Sequence, residues 1–163
     1  MTTRRIVLVV APLLAVIIVA AWWAFRPELL VVDARVSEPA PVASSASAAA
    51  ARAIASGQFR SHAHETNGIA TIIEVDGRRV LRLTKFSTSN GPDVRVTLVA
   101  AADATDDAGV PRAGYVSLGV MKGNVGDQNY DVPADLDLSV YRAVTIWCER
   151  FSVNFGTAPL SKA

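Results

Sequence analysis

Cysteine occurs once in the 163 residues, at Cys148, and histidine twice, at His62 and His64. A lone cysteine excludes an internal disulfide, so a folded domain here must stand on its core and its backbone pairing. No cysteine stands directly after the apolar run of Ile6 to Phe25, which excludes a lipid-modified cysteine there. A large charge of one sign is also missing. From Gly57 onward 11 Lys and Arg face 12 Asp and Glu, so nothing calls for nucleic acid or an anionic surface. No Ser-His-Asp order and no paired carboxylates stand out as catalytic, and the aspartates of "DATDD" and "DLDLS" read as solvated turns. "GNVG" lacks the Lys and Ser/Thr of a phosphate-binding loop. No internal repeat is visible.

What is abundant is apolar: 51% of residues are hydrophobic and the mean hydropathy is +0.30. The excess begins at once. Ile6 to Phe25 carries no charge over 20 residues, a helical length of about 30 Å, which matches a bilayer core. Arg4 and Arg5 precede it, so the positive-inside tendency leaves residues 1–5 in the cytoplasm and sends the remainder across. "AWWAFRPEL" offers bulky residues where a signal peptidase needs small ones, so an uncleaved anchor is expected over a removed signal. The C-terminal part would then face the periplasm or the exterior.

Residues 26–56 shift to Pro, Ala and Ser, as in "SEPAPVASSASAAAARAIAS". Too few large apolar side chains occur there to offset ordering, so a mobile tether is expected, with a short helix open to Ala46 to Ala55. From Gly57 the hydrophobic period becomes two. Six runs, "IATIIEV", "RVLRL", "DVRVTLVA", "GYVSLG", "DQNYDV" and "AVTIWC", are β-branched or aromatic and separated by Gly, Pro, Asn and Asp clusters. Asp76-Gly77 joins the first two as a tight hairpin. The spacing predicts an all-β domain over 57–163, an antiparallel two-sheet sandwich or small barrel.

Strand alternation puts Ile146 and Cys148 on one face and Thr145 and Trp147 on the other. If Ile146 faces the core so does the thiol, which makes a small buried hydrophobe the plain alternative to a reactive group. Arg150 stands close enough in sequence to stabilise a thiolate. His62 and His64, two apart, would share one face of a strand, so His62, His64 and Cys148 form a candidate metal set for copper or zinc, against the plain alternative of surface histidines. Asn90, Gly91, Pro92 and Asp93, and Asn124, Gly126 and Asp127, form two dense loop motifs. They suit tight turns, a partner-binding surface, or a calcium site from Asp93 and Asp127 that lacks the usual loop spacing. Tyr130, Tyr141, Phe151 and Phe155 complete an aromatic set with Trp147.

"GQFRSHAHETNGIATI", "LRLTKFSTSNGPDVRVTL", "LGVMKGNVGDQNYDVP" and "YRAVTIWCERFSVNFGTAPL" together resemble the DM13 domain, an extracytoplasmic module of bacteria and animals, over about Gly57 to Leu160. The resemblance implies electron transfer with the cysteine of an "IWC" motif as redox group, here Cys148, since some such domains stand beside DOMON and cytochrome b561 modules. It also places His64 at the family's histidine. A bare thiol is a poor electron carrier and a lone one cannot cycle internally. Redox use would then need an intermolecular partner, a sulfenic acid, or a metal or haem held through Cys148. The competing expectation is a cell-surface binding or adhesion module in which Cys148 is structural.

Overall fold

The computed structural model describes residues 3–25, 32–43 and 50–163, with the side chains of 3–9 and 24–25 left aside. The chain divides into two units, Met1–Val32 and Asp33–Ala163. The first contains helix α1, Thr3–Phe25, with Pro12 inside it. Among the described residues no helix is long and apolar enough to cross a membrane. The anchor expected over Ile6 to Phe25 therefore stands on the sequence alone.

The second unit is mostly β. Its strands are β1 (Arg35–Ser37), β2 (Arg52–Gln58), β3 (Arg60–Ser61), β4 (Asn67–Val75), β5 (Arg78–Ser87), β6 (Val94–Val99), β7 (Tyr115–Val120), β8 (Val125–Val132), β9 (Ala143–Cys148), β10 (Val153–Pro159) and β11 (Ser161–Lys162), with one short helix, α2 (Gly109–Ala113). They form a six-stranded sheet, β1-β8-β5-β4-β2-β11, and a five-stranded one, β3-β10-β9-β6-β7. Neither sheet closes on itself, so the barrel alternative falls away. Strand pairing is antiparallel except where β1 lies parallel to β8. The hairpin at Asp76-Gly77 forms as its sequence requires, with φ of 49° and 73° at the two turn residues.

Alternation places Ala70 and Ile72 of β4, Leu81 and Leu83 of β5 and Tyr130 and Val132 of β8 against Val94, Val96 and Leu98 of β6 and Val144, Ile146 and Cys148 of β9. That is the main core between the sheets. A second cluster lies behind the five-stranded sheet. Residues 100–114 fold back over it, and Ala104 and Val110 pack on Val99, Ala143 and Trp147. All six residues of β9 are consequently buried.

The expected boundary at residue 57 needs correction. Arg52–Gln58 pairs with β4, and Arg35–Ser37 pairs with β8, so parts of the expected tether are strands of the domain. The expected helix over Ala46 to Ala55 is replaced by strand from Arg52 on, while residues 26–31 and 44–49 lie outside the described residues. Helix propensity of alanine loses to the ladder because the edge of β4 offers alternate backbone groups of Arg52–Gln58 a partner, and β11 pairs with Ala55 and Ser56 on the other side.

Candidate functional site

Several motifs singled out in the sequence meet at one end of the two-sheet domain. β5 ends there at Ser87, β9 at Cys148 and β7 at Val120, and β4, β6, β8 and β10 begin there. The joining loops touch. Thr88 N–H donates to Asn124 O at 2.9 Å, and Met121 N–H to Val94 O at 2.9 Å.

Cys148 is the last residue of β9, and it faces the main core with Ile146, as the alternation predicted. It is 1% exposed, and its Sγ donates to the carbonyl of Pro92 at 3.3 Å. The loop of Asn90, Gly91, Pro92 and Asp93 is the roof over the thiol. A Cβ on Gly91 would meet Val94 Cγ2 at 3.0 Å and Phe155 Cζ at 3.2 Å, so the loop lies closer than a larger residue permits. Asp93 takes a positive φ of 62°, accepts Glu149 N–H on its carbonyl at 3.0 Å, and accepts Arg95 Nε at 2.9 Å on its side chain. These bonds tie the roof to the residue that follows Cys148 and to β6.

The histidines sit differently from expectation. His62 and His64 occupy a bend after β3, whose backbone N–H groups at His62 and His64 both point to Phe155 O, at 2.9 and 3.4 Å. A bend forms because Ser61 Oγ and Thr66 bond each other across it: Thr66 N–H donates to Ser61 Oγ at 2.9 Å. The His64 ring lies on the ring of Phe155, centroids 3.9 Å apart. Phe155 in turn packs against the roof at Gly91, so an aromatic ring stands between the histidine and the thiol's surroundings. Among the described residues no three His, Cys, Asp or Glu side chains are grouped to hold a metal, so His62, His64 and Cys148 do not come together as a set, and Asp93 and Asp127 are each bonded to an arginine, Arg95 and Arg82. Sequence spacing assumed a continuous strand there.

Asn124, Gly126 and Asp127 prove to hold the chain's own N-terminal segment. Asn124 is 3% exposed; its Nδ2 donates to Asp33 Oδ1 at 2.8 Å and Thr88 O at 3.0 Å, and its Oδ1 accepts Ala34 N–H at 2.7 Å. A Cβ on Gly126 would lie 2.0 Å from Val36 O, so only glycine admits β1 beside β8. Asp127 accepts Arg82 Nη2 at 2.7 Å and Lys85 N–H at 3.0 Å. Arg82, with Glu38 and Lys122, escaped the sequence reading. Its Nη1 reaches Glu38 O, Pro39 O and Asn129 Oδ1 at 3.0 to 3.2 Å. The signal was present in a charged residue inside a strand of buried leucines, "LRL", whose charge needs partners. Lys122 Nζ donates to Glu38 Oε1 at 2.7 Å, and this contact holds the Glu38 carboxyl below its ordinary pKa of 4.5.

Trp147 points away from the thiol into the second cluster and is 2% exposed. Arg150 is exposed in the β9–β10 turn, and the thiol's polar neighbour is the Pro92 carbonyl. Of the remaining aromatics, Tyr130 and Phe155 are core, Tyr141 packs at its margin and Phe151 is 54% exposed. Burial raises the Tyr130 phenol to about 12. A separate cavity of about 400 Å³, lined by Ile54, Ala55, Leu138 and Leu160 with Arg142 and Lys162 alongside, lies toward the other end of β9.

A family model described as Electron transfer DM13 matches residues 58–160, the stretch that contains the thiol, its roof and the histidine bend. The chain belongs to the DM13 family. No curated protein and no solved structure matches it. For this DM13 domain a metal or haem bound through Cys148 does not fit the donor set. Sγ donates to a carbonyl oxygen, and a residue 1% exposed offers no open face to a macrocycle.

Proposed function

We propose that this DM13 domain is an extracytoplasmic redox accessory, held at a membrane by Ile6 to Phe25, whose reacting group is the Cys148 thiol exchanging with a disulfide of a protein partner. The family's electron-transfer description supports redox use, and the uncharged 20-residue run behind Arg4 and Arg5 supports the anchor. One observation carries the choice of site: Cys148 closes β9 at the loop end of the domain, and its Sγ is hydrogen-bonded to Pro92 of the Asn90 to Asp93 loop. In the exchange the thiol first loses its proton. The thiolate attacks one partner sulfur, the partner's S–S bond breaks as the mixed disulfide forms, and the second partner sulfur leaves as a thiolate that takes up a proton. His64, packed on Phe155, positions the aromatic wall of the site and does not touch the sulfur's hydrogen-bond partner.

The burial of the thiol favours a second reading, a binding module in which Cys148 is a packing element and the Asn90 to Asp93 and Asn124 to Asp127 loops capture a cell-surface partner. Oxidised glutathione separates the two. Incubated with the full-length native chain it should add one glutathione, detected by mass, and Cys148→Ser should add none while keeping its unfolding transition. A native protein that stays unmodified until it unfolds globally would overturn the redox reading in favour of the binding one.

A further inference from the structure

We propose that β1 is a strap that controls access to the Cys148 thiol, a regulation that rests on the redox reading of that site. The connection runs through named bonds. β1 is seated by Asn124, which holds Asp33 and the Ala34 N–H, and by Glu38, whose N–H donates to Asp127 O at 2.9 Å. The same Asn124 side chain donates to Thr88 O, and the Asn124 backbone carbonyl accepts Thr88 N–H. Thr88 opens the loop that runs through Asn90 and Gly91 to Pro92, whose carbonyl holds the thiol. A single buried amide thus joins the strap to the roof.

The strap is built to come off without the core. β1 pairs with β8 over three positions only. Its ionic ties are partly in water: Asp33 is 56% exposed, Lys122 42% and Glu38 29%. Solvent competes for each such tie, whereas the buried apolar side chains of β5 and β8 face the main core; Arg82 of β5, bonded to Glu38 O and Pro39 O, is the buried side chain that the strap does cover. β1 is also the first strand after α1 in the chain, so a load on the N-terminal segment, or a competing strand at the β8 edge, acts on it first. Once β1 leaves, Asn124 Nδ2 and Oδ1 lose Asp33 and Ala34, water enters beside Thr88, and the roof loses its fixed end.

The test is a double substitution, Asp33→Ala with Glu38→Ala, in the full-length chain, read by amide exchange and by alkylation of the thiol with iodoacetamide. Expected are faster exchange at the Glu38, Thr88 and Glu149 amides, unchanged protection at Ile72 in the core, and alkylation faster by about ten-fold or more. Faster exchange at Glu38 with alkylation at the wild-type rate overturns the strap. If Glu38 stays protected, Gly126→Ala forces the strand off because its Cβ would lie 2.0 Å from Val36 O, and alkylation at the wild-type rate in that variant overturns the strap equally. Alkylation does not involve the redox partner. The strap therefore survives if oxidised glutathione proves inert, and the redox reading survives if glutathione adds equally fast with the strap on or off.

Discussion

The outer faces of the two sheets are covered by segments of opposite chemistry. Behind the five-stranded sheet, residues 100–114 cover Trp147 with Ala104 and Val110, and the buried side-chain groups beneath are neutral, Thr157 Oγ1 and Asn154 Nδ2 both donating to Ala104 O at 2.9 and 2.8 Å. Carboxylates join at the margin, where Asp107 accepts Asn154 N–H and Asp103 pairs with Arg60. Behind the six-stranded sheet, the chain that follows β1 covers Arg82: Glu38 O and Pro39 O accept its Nη1, while Asp127 of β8 accepts its Nη2. The first cover excludes water and is bound by area; the second is bound by charge that water can replace. A dry cover belongs to the fold, and a wet one is available for switching.

The largest effect should come from the dry cover. Trp147→Ala removes the side chain on which residues 100–114 rest, and about 3–5 kcal/mol of stability should go in urea unfolding. A loss below about 1 kcal/mol would mean that the indole is not the anchor of that cover and would erase the contrast. Next is the inner contact of the wet cover. Arg82 has a side chain only 10% exposed and Asp127 36%, so Arg82→Met leaves a half-solvated carboxylate and should cost about 2 kcal/mol, less than for a fully buried pair. The smallest effect belongs to the rim. Glu38→Gln should cost about 0.5 kcal/mol or less, and molar salt should abolish the difference from wild type. Because its contact with Lys122 depresses the Glu38 pKa, the stabilisation is present above the ordinary 4.5 and is lost as pH falls through the lowered folded-state value. Thr88 amide protection, corrected for the intrinsic pH dependence of exchange, should therefore fall on acidification in wild type and stay constant over that window in Glu38→Gln. Equal acid response in the two proteins would remove Glu38 from the strap.

Legibility followed the range of the interactions. The hairpin at Asp76-Gly77 and the opposite facing of Ile146 and Trp147 were readable because they are set within a few residues by turn chemistry and by the period of two. His62 and His64 were misplaced because the bend between Ser61 and Thr66 is made by side-chain bonds that spacing does not reveal. Asn124 and Gly126 were recognised as unusual but assigned to turns, since their partners, Asp33, Ala34 and Val36, are about ninety residues away in a stretch whose composition reads as linker.

By itself the sequence determined the β class of residues from Gly57 on, the lone thiol's orientation toward the core, and membership in DM13, each a property of local pattern or of a contiguous motif. Only the tertiary structure decided that the thiol lies under Pro92, that no metal set of His, Cys, Asp and Glu assembles around it among the described residues, and that the segment before the domain returns to become one of its strands. Those outcomes depend on which distant backbone groups find each other, and a buried donor or acceptor takes whichever partner the whole fold brings within reach.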